Sequence, residues 1–580
     1  MISSLRTHPG KTSGQRRFVM RTKTFLPGVA AGFAVMLILA ASNSRSLAQE
    51  GPVALAGQVR STAEGLMEGV VVSAKKTGST VTVSVLSDAQ GQYSFPRNRL
   101  TPGQYSVSIR AVGYEMDDPG VVEITWNKTV TTNLTLHNAE DLSSQLTNAE
   151  WLSSMPGTDD QKAGLLNCVV CHTLERIVKS RHDAAEFVTV LERMGTYTNS
   201  SFPLHVQKRP ARWLLAPRGE PLRQSQQRFA QFLSTINLSS ASTWAYPLKT
   251  FSRPKGKDTQ VIITEYDLPR ATIEPHDVIV DSQGIVWYSN FGEQNIGRLD
   301  PKTAKLTEYP VPMLKQGFPT GNLGLQFDQD GSIWLAAMNQ GGIANFDTKT
   351  EKFRTWTLPP EWNNDATQVN MVHPERSSVD GKIWLENHGY TMILRMDLAS
   401  GTFEPFEPFK GAYEKGETHN IYDVVPDSKN NAYFTDFEQG QIGRIDAKTG
   451  NITFYQTPTP NSRPRRAWMD FDDRFWFAEY RANRVGMFDT RTERFQEWLA
   501  PTPWSAPYDV VVDKNGDVWT GSVTNDRVLR IDPKSGQSSE YLLPRSTNIR
   551  RVFVDNSTSP VTFWVGSNHG ASIVKVEPLR

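Results

Sequence analysis

The two cysteines of the chain lie in one short run, Cys168-Val-Val-Cys171-His172. Two cysteines separated by two residues and followed by a histidine form the attachment pattern of c-type haem. The spacing lets the two thiols reach the two vinyl groups of one porphyrin, and the adjacent histidine becomes the proximal ligand of the iron. The sequence therefore predicts covalent haem c on Cys168 and Cys171, with His172 bound to the haem iron.

The competing explanations for this run are a redox disulfide, half of a zinc site and a chance occurrence. A thioredoxin-like dithiol requires a βαβ surrounding, which the neighbouring sequence lacks. Zinc requires four ligands, and without further cysteines only His182 and His205 are available, at an unusual spacing. Haem is the interpretation that the residues favour.

The distal ligand of the iron is predicted to be Met194, which lies 22 residues after His172. A methionine well downstream of the attachment motif is a frequent distal ligand, and a thioether raises the reduction potential. His182, His205 and an open coordination position are the alternatives. A purely structural role for Met194, packed against apolar neighbours in its own helix, also remains open.

Residues 140–240, which contain the motif, have helical spacing. Phe187, Leu191 and Met194 recur at i, i+4 and i+7, and Arg228–Ile236 is a second candidate helix. With its attachment motif, the segment resembles a class I cytochrome c domain. That resemblance implies a small α-helical haem domain.

Residues 53–138 instead alternate apolar and polar positions in six short runs, which predicts an all-β sandwich. The runs are Val53–Val59, Gly69–Lys75, Thr80–Leu86, Gln92–Phe95, Gly103–Val112 and Thr129–Leu136. The run Asp88-Ala-Gln-Gly91-Gln-Tyr93-Ser-Phe95, followed by Pro102-Gly103-Gln-Tyr105, resembles the carboxypeptidase regulatory-like domain. That family has a transthyretin-like or immunoglobulin-like fold. No catalytic group stands out here, so a structural or docking module is expected.

Residues 258–580 repeat with a period of 43 to 50 residues, and each repeat carries an Asp-rich turn, an aromatic residue and an Ile-Gly-Arg-like strand. About four strands per repeat at this period predict a β-propeller, here with seven blades. The strand missing from the last blade is expected at 262–268, where it would close the ring. Core packing is predicted for the aromatic marks of the seven repeats: Trp287, Trp334, Trp384, Tyr433, Trp476, Trp519 and Trp564.

The first repeat contains runs such as Pro275-His276-Asp277-Val278 to Trp287 and Asn295-Ile-Gly-Arg298-Leu-Asp300. They resemble the virginiamycin B lyase family. The resemblance implies a seven-bladed fold and, for some members, Mg²⁺-assisted β-elimination that opens streptogramin antibiotics. The family's Glu-x-His motif maps onto Glu274 and His276, which implies that Glu274 holds Mg²⁺ and that His276 is the general base. A neutral imidazole can remove an α-proton while a metal stabilises the enolate.

The innermost strands should place polar side chains around one mouth of the propeller channel. Asn290 stands where an acid is expected near His276, whereas corresponding places in other blades hold Asp436 and Glu479. A small polar or anionic ligand at this mouth is one interpretation, and hydrogen bonding between blades is the other. His388, His419 and His569 are expected to be loop or rim histidines. The mouth positions predicted to correspond to His276 are His373, Tyr422, Arg465, Tyr508 and approximately Arg550, with Arg466 beside them.

Residues 1–48 hold seven basic residues and no acidic one, followed by a short apolar run and Ser46-Leu-Ala48. These are the three parts of a secretory signal, and the apolar run is shorter than the roughly 20 residues that span a bilayer. A retained membrane anchor is the alternative. The protein is therefore predicted to be exported, to a bacterial periplasm.

The rest of the chain has 55 basic and 61 acidic residues, a net charge of −6, which argues against a nucleic-acid partner. The predicted fold class is mainly β and multidomain: a β-sandwich, a small helical haem domain and a seven-bladed propeller. Three functions are compatible with this organisation. They are an exported c-type haem protein that exchanges electrons with a periplasmic partner, a Mg²⁺-dependent lyase, and a non-catalytic interaction scaffold.

Overall fold

The computed structural model describes residues 52–209, 220–239 and 241–579, without the side chains of Pro221, Leu222 and Tyr413. The predicted export signal lies outside the described residues. The described chain is mainly β, with 38 strands in eight sheets. None of the helices in these ranges is both long enough and apolar enough to cross a membrane.

The N-terminal strands form two sheets whose apolar faces share one core, with Tyr93, Phe95 and Leu134 buried in it. One sheet has the order β2-β1-β10-β7, with β5 and β9 also paired to β1, and the other contains β4-β3-β6-β8. All six runs predicted from the sequence contain strands, and three short strands, β2, β7 and β8, were not predicted. The strands are β1 Val53–Ser61, β2 Gly65–Leu66, β3 Val71–Lys76, β4 Val81–Leu86, β5 Gln92–Pro96, β6 Gly103–Arg110, β7 Tyr114–Met116, β8 Val122–Ile124, β9 Val130–Thr131 and β10 Leu134–Asn138.

Short helices follow the sandwich. Capping boxes start α1 and α4: Thr147 caps α1 with Glu150, and Asp183 caps α4 with Glu186. Cys168 lies on a 3₁₀ helix, Gly164–Val170, between α2 and α3. The helices are α1 Asn148–Ser154, α2 Asp159–Ala163, α3 Glu175–Val178, α4 Ala184–Met194 and α5 Glu220–Ile236, with further 3₁₀ turns at Leu142–Ser144 and Gly256–Thr259.

Seven four-stranded blades follow, and their innermost strands contact one another in a ring that closes between the first blade and the last. The seven predicted aromatic marks are all buried, with at most 3% of each residue exposed. In four blades the Trp indole Nε1 donates to the Asp carboxylate six residues earlier, as Trp287 does to Asp281 at 3.0 Å. The Asp-rich turn and the Trp therefore form one local unit that repeats.

The strands of the first six blades are given in order from the channel outwards. They are β12 Pro275–Val280, β13 Val286–Asn290, β14 Asn295–Asp300, β15 Lys305–Pro310; β16 Leu325–Phe327, β17 Ile333–Ala336, β18 Gly342–Asp347, β19 Lys352–Thr357; β20 Val369–His373, β21 Lys382–Asn387, β22 Met392–Asp397, β23 Phe403–Phe406; β24 Ile421–Pro426, β25 Ala432–Asp436, β26 Gln441–Ile445, β27 Ile452–Gln456; β28 Pro464–Met469, β29 Arg474–Glu479, β30 Arg484–Asp489, β31 Arg494–Leu499; β32 Pro507–Val512, β33 Val518–Ser522, β34 Arg527–Ile531 and β35 Ser538–Leu542. The connections hold α6, Ser377–Asp380, and 3₁₀ turns at Pro360–Trp362, His388–Tyr390 and Tyr413–Lys415.

The seventh blade consists of β36 Ile549–Asp555, β37 Thr562–Ser567, β38 Ser572–Pro578 and, as predicted, a strand from before the first blade, β11 Val261–Asp267. The sequence predicted that β11 closes the ring, but not that it pairs on its other side with β4 of the sandwich. The blade and one sandwich sheet thus form a single eight-stranded sheet. Arg99 reinforces this junction with two 3.0 Å contacts to the carboxylate of Glu577.

Candidate functional site

The helical segment lies across one mouth of the propeller channel. Its apolar core, which contains Trp151 and Leu166, continues into the propeller through Phe437, Tyr480 and Tyr508. Propeller side chains also bind main-chain carbonyls of residues 166–172, called here the cysteine-bearing turn. These hydrogen bonds run from Tyr480 Oη to Leu166 O at 3.1 Å, Asn548 Nδ2 to Val169 O at 3.0 Å, Arg550 Nη2 to Val170 O at 2.8 Å and His569 Nε2 to Val170 O at 3.0 Å.

The two predicted haem-bearing cysteines are free thiols. Burial raises the pKa of Cys168 to about 12 and that of Cys171 to about 11. His172 Nδ1 lies 2.9 Å from the carbonyl of Thr173, and burial lowers the pKa of this imidazole. With Nδ1 held by a backbone carbonyl, the neutral tautomer leaves the Nε2 lone pair available for a metal. The thiols and this imidazole fit the requirements of covalent haem.

The structure does not assemble the alternative zinc site. Across residues 52–209, 220–239 and 241–579, no three His, Cys, Asp or Glu side chains are grouped to hold a metal ion. His182 stacks edge-on against Phe187, and its Nδ1 lies 3.5 Å from Glu186. His205 forms a β-bridge with Phe202, and its buried Nδ1 has no hydrogen-bond partner among the described atoms.

Met194, the predicted distal ligand, is the last residue of α4 and is half-buried. Its helix-mates Phe187 and Leu191 belong to the core around Trp151, but Met194 itself does not. No hydrogen bond, ring contact or core cluster of the described residues links Met194 to His172. Its role as a ligand stays a prediction.

Glu274 and His276 lie at the same mouth and are fully buried. Burial raises the pKa of Glu274 well above its usual range, and its Oε2 has no hydrogen-bond partner among the described atoms. Burial, assisted by the charges of Arg550 and Arg466, lowers the pKa of His276 to about 4. Burial thus favours the uncharged forms of both side chains, Glu274 just before β12 and His276 on it.

The strand register identifies which residues correspond to His276. The residue before His276 pairs with Asn290 at the end of the next strand, and the same relation holds in five other blades. The prediction for His373 was wrong: Asn370 occupies this position in the third blade, and His373 lies three residues further along β20. The mouth residues of these six blades are His276, Asn370, Tyr422, Arg465, Tyr508 and Arg550.

Three aromatic hydroxyls and one arginine organise this mouth. Tyr422 and Tyr508 share a 2.5 Å hydrogen bond, and Tyr508 Oη lies 3.3 Å from Nε2 of His276. The guanidinium of Arg465 lies over the rings of Tyr508, Tyr480 and Tyr422 at 4.0, 4.3 and 4.6 Å from the centroids. Burial opposes ionisation of Tyr508, but the charges of Arg465 and Arg550 outweigh it and lower its pKa.

One residue deeper, the channel holds an ion network that links the blades. Asp277 binds Nη1 and Nη2 of Arg466 at 2.6 and 3.0 Å, and Asp509 lies 3.2 Å from Nε of Arg551. The carboxylates of Asp277, Asp423 and Asp509 each accept a backbone N–H from the following blade. Hydrogen bonding between blades, predicted as one interpretation of the mouth residues, is found there for His276, Tyr422 and Tyr508. It also holds for this inner ring, which the sequence did not single out as a unit.

His373 completes the inner ring. Its Nε2 lies 3.1 Å from Asp423, and its Nδ1 lies 3.1 Å from Glu375. Burial opposes its charge, but Glu375 and Asp423 outweigh burial and raise its pKa to about 9. The three buried aspartates are thus matched by Arg466, Arg551 and a protonated His373.

The rim histidines divide into two kinds. His419 has an ordinary loop role, stacked on Phe409 and bonded to Asp436 at 2.6 Å. His569 instead contacts the cysteine-bearing turn, and burial, followed by the charges of Arg209 and Arg465, lowers the pKa of half-buried His388. The sequence could not identify these two, because their partners are hundreds of residues away or are backbone carbonyls.

Two protein-family models match the chain. Residues 414–578 match the virginiamycin B lyase family, and residues 54–137 match the carboxypeptidase regulatory-like domain. Fold and matches together define a multidomain β protein in which a carboxypeptidase regulatory-like domain accompanies a β-propeller similar to virginiamycin B lyase.

Solved structures of similar proteins include virginiamycin B lyase from Staphylococcus aureus. It is 24% identical, covers 54% of this chain and 98% of that protein, and has a TM-score of 0.46. A streptogramin B lyase structure is 23% identical, covers 54% of this chain and 97% of that one, and has a TM-score of 0.45. No curated protein matches the chain.

Proposed function

We propose that the protein is an exported c-type haem protein that transfers electrons in the periplasm, with a propeller that binds a small ligand or a protein partner. The observation that carries this proposal is the placement of the cysteine-bearing turn, which contains Cys168, Cys171 and His172, against the propeller mouth. Four propeller side chains bind its carbonyls, so the turn has a defined position. A haem there would be adjacent to the residues that line the channel.

The residues of the turn have separate tasks in this proposal. Cys168 and Cys171 would hold the haem covalently through its two vinyl groups, and His172 would bind the iron. Met194 is the candidate distal ligand. When bound, haem supplies one-electron redox chemistry. The hydrogen bond that His172 Nδ1–H donates to Thr173 O orients the imidazole and increases its basicity.

The test is a haem stain of the denatured periplasmic protein, followed by a reduced-minus-oxidised absorption spectrum. Covalent haem is expected in the wild type and absent from the Cys168→Ser/Cys171→Ser double variant. Protein that is exported, folded and free of covalent haem would contradict the proposal. In the haem-bearing protein, Met194→Ala should abolish the low-spin Met/His spectrum, and an unchanged spectrum would exclude Met194 as the ligand.

A second candidate function is a lyase that uses His276 as the base and Glu274 as a Mg²⁺ ligand. The neutral state and deep burial of His276 favour it, since a base must be unprotonated. Against it, the turn that bears the cysteines covers this mouth. Mg²⁺-dependent opening of a streptogramin B, lost in His276→Ala, would support the lyase, whereas no turnover by the wild type would exclude this substrate class.

A non-catalytic scaffold is the third function. Partner binding without haem and without turnover would favour it.

A further inference from the structure

Three arginines near the propeller mouth have no carboxylate partner among the described residues. Arg465 and Arg550 are buried, with 7% and 2% of each residue exposed, and Arg209 is half-buried. Arg465 makes no ion pair in the described chain, and its buried Nε has no hydrogen-bond partner there. Among the described residues, the Arg550 side chain bonds only to Asn548 and the carbonyl of Val170, and the Arg209 side chain only to Tyr197 O and Asn199.

These arginines act on the same small region. Arg465 and Arg550 approach the ring centroid of Tyr508 at 4.0 and 5.1 Å. Arg209 lies two residues after Gln207, whose Nε2 donates to Gly292 O and Thr320 O of the propeller at 3.2 and 3.1 Å. The positive charge therefore lies between the propeller mouth and the cysteine-bearing turn.

The neighbouring groups do not neutralise this charge. Buried Glu274 lies at the same mouth but makes no ion pair among the described residues: its Oε1 accepts a hydrogen bond from Asn568 Nδ2 at 3.3 Å, and burial raises its pKa. Outside the described residues the only acidic side chain in the sequence is Glu50. Burying an unpaired charge is costly, and buried charges in proteins are normally paired.

We infer that Arg465 and Arg550, with Arg209, form a binding site for a carboxylate dianion between the propeller mouth and the cysteine-bearing turn. Guanidinium groups bind carboxylates through charge-assisted hydrogen bonds, often in bidentate pairs. The unpartnered Nε of Arg465 and Oε2 of Glu274 are polar atoms that such a ligand would satisfy. A protonated Glu274 can donate to a carboxylate oxygen, whereas an ionised one would repel it.

Two sources can supply these carboxylates: the propionates of a haem held by Cys168 and Cys171, or a small dicarboxylate substrate. The haem propionates as a source rest on the proposed function, whereas the arginine site itself does not depend on that function. The two are separated by measuring succinate binding to two full-length proteins, the haem-bearing wild type and the haem-free Cys168→Ser/Cys171→Ser chain.

Isothermal titration of the haem-free chain with succinate should show saturable binding. R465Q and R550Q should each weaken it at least about tenfold, since a hydrogen bond to a charged group contributes roughly 1.5–3 kcal/mol and 1.4 kcal/mol is tenfold. R491Q is the matched control, because Arg491 carries the same charge in the same blade but is exposed in an outer turn.

If the haem-bearing protein fails to bind succinate while the haem-free chain binds it, the propionates occupy the site. If both bind, the dianion is a separate ligand. Both results support the site, and the haem stain tests the haem independently.

Should the haem-free chain not fold, R465Q in the haem-bearing protein should lower the reduction potential, since a nearby positive charge favours the ferrous state. Two results would overturn the inference. One is a folded haem-free chain that does not bind succinate. The other, if the haem-free chain does not fold, is a haem-bearing protein that does not bind succinate and whose reduction potential is unchanged in R465Q.

Discussion

Two adjacent layers of the propeller channel, the inner ring and the mouth, differ in how their charged side chains are paired. The inner ring pairs Asp277, Asp423 and Asp509 with Arg466, Arg551 and His373. The mouth places Arg465 and Arg550 against tyrosines and carbonyls, without carboxylates from the described chain. The inner ring therefore has the charge balance of a structural element. The mouth has the imbalance expected where another group binds.

The largest effect is expected from Arg466→Met. Among the described residues, the variant leaves buried Asp277 with hydrogen bonds from His276 Nδ1 and Leu325 N and with only Arg551, at 3.7 Å, as a charged arginine partner. Removing one partner of a buried ion pair costs about 3–5 kcal/mol, because the remaining charge is uncompensated. Urea denaturation of the propeller should show this loss. Arg491→Met, in an exposed turn of the same blade, is the control and should change stability by less than about 0.5 kcal/mol. Equal stability of the two variants would mean that the inner ring does not hold the blades together.

A pH-dependent effect of intermediate size is expected from His373→Gln. The pKa of His373 is raised to about 9 from 6.5. Its charged form therefore stabilises the fold fully below about pH 6.5, and this contribution disappears as the pH rises through about 9. At about 1.4 kcal/mol per pKa unit, the difference between wild type and variant should reach about 3 kcal/mol near pH 6.

Thermal denaturation of both proteins between pH 6 and pH 10 measures this difference. Comparing the two curves removes the contributions of other titrating groups. A difference that stays constant over this range would show that His373 is not charged in the inner ring.

The smallest effect is expected from Arg465→Met in the haem-free chain without added carboxylate. The variant loses cation–π contacts, but it also removes a buried charge that lacks a counter-ion, and the two effects oppose each other. The stability should change by less than about 1 kcal/mol, well below the loss for Arg466→Met. A loss as large as that of Arg466→Met would mean that Arg465 has a structural partner and that the two layers are alike.

The sequence predicted the repeated elements well because each repeat contains its own signal. Trp287 and Asp281 lie six residues apart and bond within one turn, so their recurrence marks every blade that has them. The capping residues of α1 and α4 are local in the same way. The haem motif was visible because its three residues are nearly consecutive.

The position of the motif was not predictable, because the contacts that fix it leave no pattern. Val170 accepts hydrogen bonds from Arg550 and His569 through its backbone carbonyl, which every residue type has. The error at His373 has a related cause. That residue was aligned with His276 by its type, whereas strand pairing places Asn370 there. The pairing of β4 with β11 was not predictable either, because a strand can have the same alternation of apolar and polar residues at the edge of a sheet and inside it.

The sheet shared by the sandwich and the seventh blade sets the order in which the chain can fold. β4 and β11 come before the first blade, but β38, to which β11 pairs, is made only after the six other blades. The ring and the shared sheet are thus completed late in synthesis. Cys168 and Cys171 precede all seven blades, so the propeller side chains that bind their turn, Arg550 and His569, are made long after the two thiols.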